Sequence, residues 1–316
     1  MQKLFGPAGV VQALLMILAL GLQVKAQEKG DVIKIDTDLV TVEVTAVDRQ
    51  GGYVRNLKPK DFKMYVDGIE KKIDFFSVTD DVTVSRPLSL VFALDLSGSL
   101  KPEEILTLKN SALKFTELMK GESMFAAMGF NYEVKIYQDF TSDPKKIERA
   151  FAKMDHFEGS TKIYDALDRA VAMLSKRWKG STKPLRRVII VITDGFDSSS
   201  LIEGRELIRR ANAAGVTVYS VTLPSYILSA SRNTDRVITP LDATRIVAST
   251  GGKDFSADAR DFAPIFKALA EEIKSSYGIA YYPEVRDGKQ HEIRIEAVDA
   301  SHKLRTNRST FIAPVH

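Results

Sequence analysis

The stretch LSLVFALDLSGSL (residues 88–100) decides how this chain is read. Its first seven residues are almost wholly apolar, as a strand buried on both faces requires. It then ends in Asp95, Ser97 and Ser99, three oxygen-bearing side chains at alternate positions. Asp, Ser and Gly all suit the turn that must follow a strand tip. A turn alone does not need a carboxylate and two hydroxyls on alternate residues. Oxygens so spaced can curl toward one point, which is what a hard cation requires.

The pattern downstream repeats the theme. A helix is expected from Pro102, where proline suits the first turn, with Ile105, Leu108, Ala112, Phe115 and Met119 on one face. MFAAMGF (124–130) and EVKIYQDF (133–140) read as strands joined at Asn131 and Tyr132. Helices are expected from Asp143 to Met154, from Ile163 to about Ser175, and from Glu203 to Asn212 with Gly215 as a stop. RVIIVIT (187–193), ending at Asp194, and VTVYSVTL (216–223) are apolar strands. Helices over 242–249 and 261–275, with a short strand KDFSA between them, complete the series. Apolar strands alternating with amphipathic helices predict a doubly wound, mostly parallel α/β sheet with helices on both faces.

Both flanks read differently. Residues 39–46 alternate with β-branched positions, DRQGG (48–52) is a turn, and Asp67-Gly68 between FKMYV and IEKKIDFFSV predicts a hairpin. YGIAYYP (277–283), HEIRIEAV (291–298) and the stretch ending RSTFIAP (308–314) return to strand character. Chain termini often lie close in space. The two flanks are therefore expected to form one small all-β, sandwich-like domain beside the α/β domain. The division expected is 1–26, 27–86, 87–276 and 277–316.

Residues 1–26 read as a secretory signal peptide: Lys3 without an acid, an apolar run from Val10 to Leu22, then Val24 and Ala26 before a cut at Gln27. A retained anchor is the competing reading. The run is short for a bilayer, which needs about 20 residues, and Gln12 interrupts it. No later segment spans, so the processed chain is expected in the periplasm or outside the cell. The absence of cysteine excludes disulfides, thiolate metal sites and thiol nucleophiles. A formal charge of +4, from 45 basic and 41 acidic residues without a basic cluster, argues against nucleic acid.

In a parallel α/β sheet, ligands bind beyond the carboxyl ends of the strands. Three segments put oxygens there: Asp95, Ser97 and Ser99 after one strand, Asp194 after another, and Thr161 in the loop before a helix. A set without His or Cys suits Mg2+ or Mn2+ and disfavours zinc or copper. Each residue alone has an ordinary explanation: Asp95 or Thr161 as a helix cap, Asp194-Gly as a turn. Asp197 is either a partner for metal-bound water or a solvated turn acid. His156 and Glu158 read as rim residues.

Together, Asp-x-Ser-x-Ser at 95–99, Gly-Ser-Thr at 159–161 before the helix, and Thr-Asp-Gly at 193–195 resemble the von Willebrand factor type A domain. The flanks, LKPKDFKMYVDGIEKKIDFFS and YGIAYYP, more loosely resemble a secreted bacterial group with related domains described from Acidobacteria. The resemblance implies a metal-ion-dependent adhesion site. Ser97, Ser99 and Thr161 would offer hydroxyls. Asp95 and Asp194 would hold the ion directly or through water, and an open position would take an Asp or Glu carboxylate from a protein partner. The expected function is thus an exported binding module and not an enzyme. Two alternatives stand beside it. A metal-assisted hydrolase or phosphatase would want more carboxylates and a placed Lys or His, and of four histidines only His156 is near the site. A structural envelope protein would use the metal only to stiffen itself.

Overall fold

A computed structural model describes residues 39–78, 87–97, 102–119, 122–155, 159–177, 185–193, 197–223, 243–256 and 261–315. All eight residues of β5 (Leu88–Asp95) are buried. The strand lies at the middle of a six-stranded sheet, between β6 (Ser123–Phe130) and β8 (Arg186–Thr193). β9 (Val216–Thr222) and β10 (Asp254–Ser256) extend the sheet on the β8 side, all parallel. β7 (Val134–Thr141) closes the other edge antiparallel to β6. The edge reverses because the Asn131–Glu133 turn, with Asn131 N–H on Glu133 O, leaves no room for a crossover helix.

Because side chains alternate along a strand, the sheet has two different cores. Leu88, Leu90, Phe92 and Leu94 face α1 (Pro102–Leu118), α2 (Pro144–Ala152) and α6 (Ala263–Lys274). This layer is aromatic: the ring of Phe92 meets Phe115 and Phe151 edge-on, and Phe115 packs on Phe266. Val91 and Ala93 face α3 (Ile163–Arg177), α4 (Gly204–Ala214) and α5 (Ala243–Ser249), where Ala166, Ala170 and Ala211 keep the layer thin. The expected doubly wound sheet is present, with helices on both faces.

The flanking strands form two further four-stranded sheets around one shared core. β1 (Val40–Val47), β4 (Phe75–Val78), β11 (Ser276–Tyr281) and β13 (Lys303–Thr306) make one. β2 (Phe62–Val66), β3 (Ile69–Lys71), β12 (Gln290–Ala297) and β14 (Thr310–Ile312) make the other. N- and C-terminal strands thus pair directly, β1 with β11 and β2 with β12. Asp67 and Gly68 both have positive φ, 49° and 80°, as the two-residue hairpin turn between β2 and β3 requires.

Two details differ from the sequence reading. IEKKIDFFSV is not one strand: β3 pairs with β2, and after Asp74 the chain crosses to the other sheet as β4 beside β11. Asp74 fixes that crossing, its N–H on Ala280 O and its Oδ2 accepting Tyr282 N–H. β13 was not expected. KLRT is short and polar, and its strand character comes from pairing with β1.

The sandwich abuts the amino ends of the parallel strands. α6 runs into β11 across Ser275 alone. Glu272 of α6 is fully buried, accepting from Tyr53 Oη at 2.7 Å and from Arg305 Nη2 at 2.6 Å. Burial, then the Glu272 carboxylate, pushes the Tyr53 phenol well above its usual range. Arg186, also buried, donates to Ile273 O at 2.9 Å.

Candidate functional site

Asp95 is the last residue of β5 and is buried, although strand tips are commonly exposed. Hydrogen bonds from two described residues orient its carboxylate. Oδ1 accepts the Ser97 N–H at 2.9 Å, folding the chain back as an Asx-type turn. Oδ2 accepts the Thr193 hydroxyl at 2.6 Å, from the tip of the neighbouring strand β8. Leu96 N–H donates to Phe130 O at 2.7 Å and tucks its side chain over Gly129, where a Cβ would come within 2.5 Å of Leu96 Cδ1. Glycine at 129 thus makes room for the turn that aims Asp95 and Ser97.

The same strand tip carries the second loop. Asn131 O accepts Lys162 N–H at 3.0 Å, which seats residues 159–162 beside the end of β6. Thr161 is buried; its carbonyl accepts from Ser198 and Ser199 N–H at 2.9 and 3.2 Å, and its own N–H donates to Ser198 Oγ at 2.9 Å. No hydrogen bond among the described residues engages the Thr161 hydroxyl. A helix cap was one reading of Thr161, and the cap comes from elsewhere. Asp197 Oδ1 accepts the N–H groups of Ile163 and Tyr164 at 2.8 and 3.4 Å, capping α3 from the opposite loop. That carboxylate is therefore a helix cap and not a solvated turn acid.

Ser200 locks the pair of loops, donating to Asp197 Oδ1 at 2.6 Å while its Oγ accepts Asp165 N–H at 3.1 Å. Asp165 Oδ1 in turn accepts Leu201 and Ile202 N–H at 2.9 and 3.1 Å. This reciprocal latch was missed in the sequence. Its signal was the run Asp197-Ser-Ser-Ser200 after a strand, whose side chains can accept and donate at a helix start.

The structure thus links the loops carrying Asp95, Ser97 and Thr161 through Phe130, Asn131 and Lys162. Ser99 and Asp194 lie outside the described residues, as do His156 and Glu158. No group of three or more His, Cys, Asp or Glu side chains suited to a metal occurs among the described residues. A mostly hydroxyl donor set would not form such a group. The fit to a hard cation rests on the orientation of the Asp95 carboxylate and on the uncommitted Thr161 hydroxyl.

A groove of about 230 Å³ opens beside these loops, lined by Leu96, Asn131, Tyr132, Lys135, Tyr137 and Lys153. Burial, then the Asp155 and Glu133 carboxylates, raises the Tyr137 phenol. Tyr132 of this lining is exposed, as is Leu201 next to the Asp197–Ser200 latch.

The sequence profile of the von Willebrand factor type A domain matches residues 89–265, from β5 into α6. This chain belongs to that family. Inter-alpha-trypsin inhibitor heavy chain H3 of Bos taurus is 33% identical over 115 residues, 34% of this chain and 13% of the relative. Integrin alpha-X of Homo sapiens is 24% identical over 170 residues, 50% of this chain and 14% of the relative. The chain therefore spans only about one-eighth of the length of these curated relatives. An aerotolerance-related membrane protein from Bacteroides fragilis has a solved structure that aligns with a TM-score of 0.44 at 20% identity, covering 59% of this chain and 98% of the other. Among the described residues, no helix is long and apolar enough to cross a membrane.

Proposed function

We propose that this type A domain binds a protein partner through a divalent cation, Mg2+ or Mn2+, held by Asp95, Ser97, Ser99, Thr161 and Asp194. The observation that carries the reading is Asp95: a buried carboxylate fixed by Ser97 N–H and Thr193 Oγ1 at the carboxyl edge of the sheet, beside a hydroxyl left uncommitted. Two carboxylates balance a divalent charge, and neutral hydroxyls leave the ion able to attract a further anion. When bound, the ion supplies the positive charge that would take an Asp or Glu side chain of the partner.

The chain's own part is to hold these oxygens still. The Asp197–Ser200 latch fixes the Thr161 loop, and the Phe130–Asn131 tip fixes both loops to the sheet. The exposed side chains of Tyr132 and Leu201, on the two loops, would contact the partner. The relatives named as an integrin and as inhibitor heavy chains are consistent with a binding module. We read the domain as non-enzymatic. His291 is engaged in the sandwich, stacked on Phe311 and hydrogen-bonded to Asp67 and Asp287, so it offers no general base to the site. Residues 1–26 are proposed to direct export, leaving 27–86 and 277–316 to build the sandwich around the domain at 87–276.

The test is capture of a partner from an envelope extract by the immobilised chain. Binding is expected in Mg2+, lost in chelator, restored by adding Mg2+ back, and lost in Asp95→Ala. Capture indifferent to chelation would contradict the proposal.

A further inference from the structure

β7 is the last strand of the six-stranded sheet, and its outer side pairs with no other strand among the described residues. The register tells which of its groups face outward. Asn131 N–H bonds to Glu133 O at the turn, and the pairs that follow are Phe130 with Val134, Gly129 with Lys135 and Met128 with Ile136. Bonded and non-bonded pairs alternate along an antiparallel ladder. The bonded pairs are thus Asn131–Glu133 and Gly129–Lys135. Phe130 agrees, since its carbonyl takes Leu96 N–H on the β5 side. Val134 and Ile136 therefore turn their N–H and C=O groups away from β6, as an added strand requires. Farther along, the ladder slips out of register, and side chains cover the backbone: Asp139 Oδ1 accepts Phe140 N–H at 2.7 Å, and Gln138 Nε2 donates to Asp139 O at 2.8 Å. The available stretch is Val134–Tyr137, next to the tip that seats the Thr161 loop.

This stretch is bordered by a groove on each face of the sheet, because Ile136 packs on one core layer and Tyr137 on the other. On the first face, Ile136, Phe140, Ala172 and Met173 floor a groove of about 390 Å³ between β7 and α3. Arg169 and Lys176 line it from exposed positions and form no ion pair among the described residues. Asp139 is the acid of this groove, and its Oδ1 is engaged by Phe140 N–H. On the second face lies the groove of about 230 Å³ beside Leu96 and Tyr137. Successive side chains of an extended chain point to opposite faces, so a strand laid on β7 would fill both grooves alternately.

We propose that the protein partner of this domain contributes an extended segment that pairs with β7 through Val134 and Ile136. This rests on the reading of the domain as a metal-dependent binder. The segment carries apolar side chains for the floor at Ile136, Phe140 and Met173 and an acid for Arg169 and Lys176. Backbone pairing supplies affinity, and the grooves supply selectivity. β7 begins at the carboxyl edge, so the same segment delivers there the carboxylate that the ion takes. A second copy of the chain fits less well: antiparallel pairing of two β7 strands would set Arg169 and Lys176 of both copies on one face, like against like.

The test pans a random dodecamer peptide library on the full chain in Mg2+ and resynthesises a selected peptide with single backbone N-methyl groups. Methylation at every second residue of the paired stretch is expected to weaken binding about tenfold, and at the intervening residues far less, since only alternate N–H groups face β7. Hydrogen exchange at the Val134 and Ile136 amides is expected to be fast in the free chain and slowed in the complex, and Arg169→Glu to weaken an acidic peptide about tenfold. A library without binders, binding indifferent to the methylation pattern, or unchanged exchange at those amides would overturn the proposal. Slow exchange there in the free chain would overturn it too, by showing the edge already covered by this chain or a second copy. A peptide that protects β7 but ignores chelator and Asp95→Ala would uphold this surface and remove the metal reading. One that needs Mg2+ without protecting β7 would do the reverse.

Discussion

The two ends of strand β8 are chemically opposite. It begins with Arg186 and Arg187, which lie against the sandwich, and ends at Thr193, whose hydroxyl serves Asp95. At about 3.3 Å per residue these ends are roughly 25 Å apart. At the amino end, charges are buried and tied to neighbouring elements: Arg186 to Ile273 O, Arg305 to the fully buried Glu272. At the carboxyl end, the hydrogen bonds are spent on fixing loops, and one hydroxyl, that of Thr161, is left over. The difference teaches that polar groups at the two edges do different work. One edge is closed to hold two β-rich flanks onto an α/β core. The other fixes its loops to one another, as the proposed binding edge requires.

Substitutions at the two edges should therefore fail in different ways. The largest effect is expected from Glu272→Ala, which strands Arg305 and Tyr53 at the seam. Removing one partner of a buried ion pair costs about 3 kcal/mol or more. Urea unfolding should show that loss with the response to Mg2+ intact in whatever fraction remains folded. A cost below about 0.5 kcal/mol, the level of a surface change, would mean that the seam is not closed. Next is Asp197→Ala, which uncaps α3 and frees Ser200. A lost cap costs about 1 kcal/mol. The loop it holds carries Thr161, so Mg2+ affinity should fall as well, and a variant that binds Mg2+ normally would break the link between latch and site.

The smallest effect concerns pH and belongs to the sandwich. Hydrogen bonds donated to Asp67 and then to Asp287 hold the His291 imidazole above its usual range, and His291 holds both carboxylates below theirs. A raised folded value means that the His291 contribution is fully present below the unfolded value of about 6.5. It is lost as pH rises through the folded value. The carboxylates act in the opposite sense, losing theirs as pH falls through their lowered values. Stability of the natural chain relative to His291→Gln should accordingly be greatest near pH 5.5 and shrink by pH 8. A difference that grows with pH would contradict the arrangement.

The open edge was more legible in the sequence than the closed one. Continuous apolar strands ending in Asp95 and Thr193 declare both the sheet and the edge at which oxygens gather. The Asp67-Gly68 turn likewise declares its hairpin, because few other residues accept that backbone. Long-range partners chosen by packing leave no local pattern. Nothing in IEKKIDFFSV marks Asp74 as the point where the chain changes sheets, and KLRT becomes β13 only because β1 lies beside it. Asp197 looked like a turn acid since its helix lies 34 residues away in sequence. Arg308, in a polar stretch between two strands, gave no hint that it is buried.

The central claim is that oxygens on the carboxyl edge hold one divalent cation, and calorimetric titration of Mg2+ into the chelator-treated chain tests it most directly. The natural chain is expected to give a saturable heat with one ion per chain, and Asp95→Ala, folded by circular dichroism, is expected to give none. No heat from the natural chain with Mg2+ or Mn2+, or the same heat from Asp95→Ala, would contradict it.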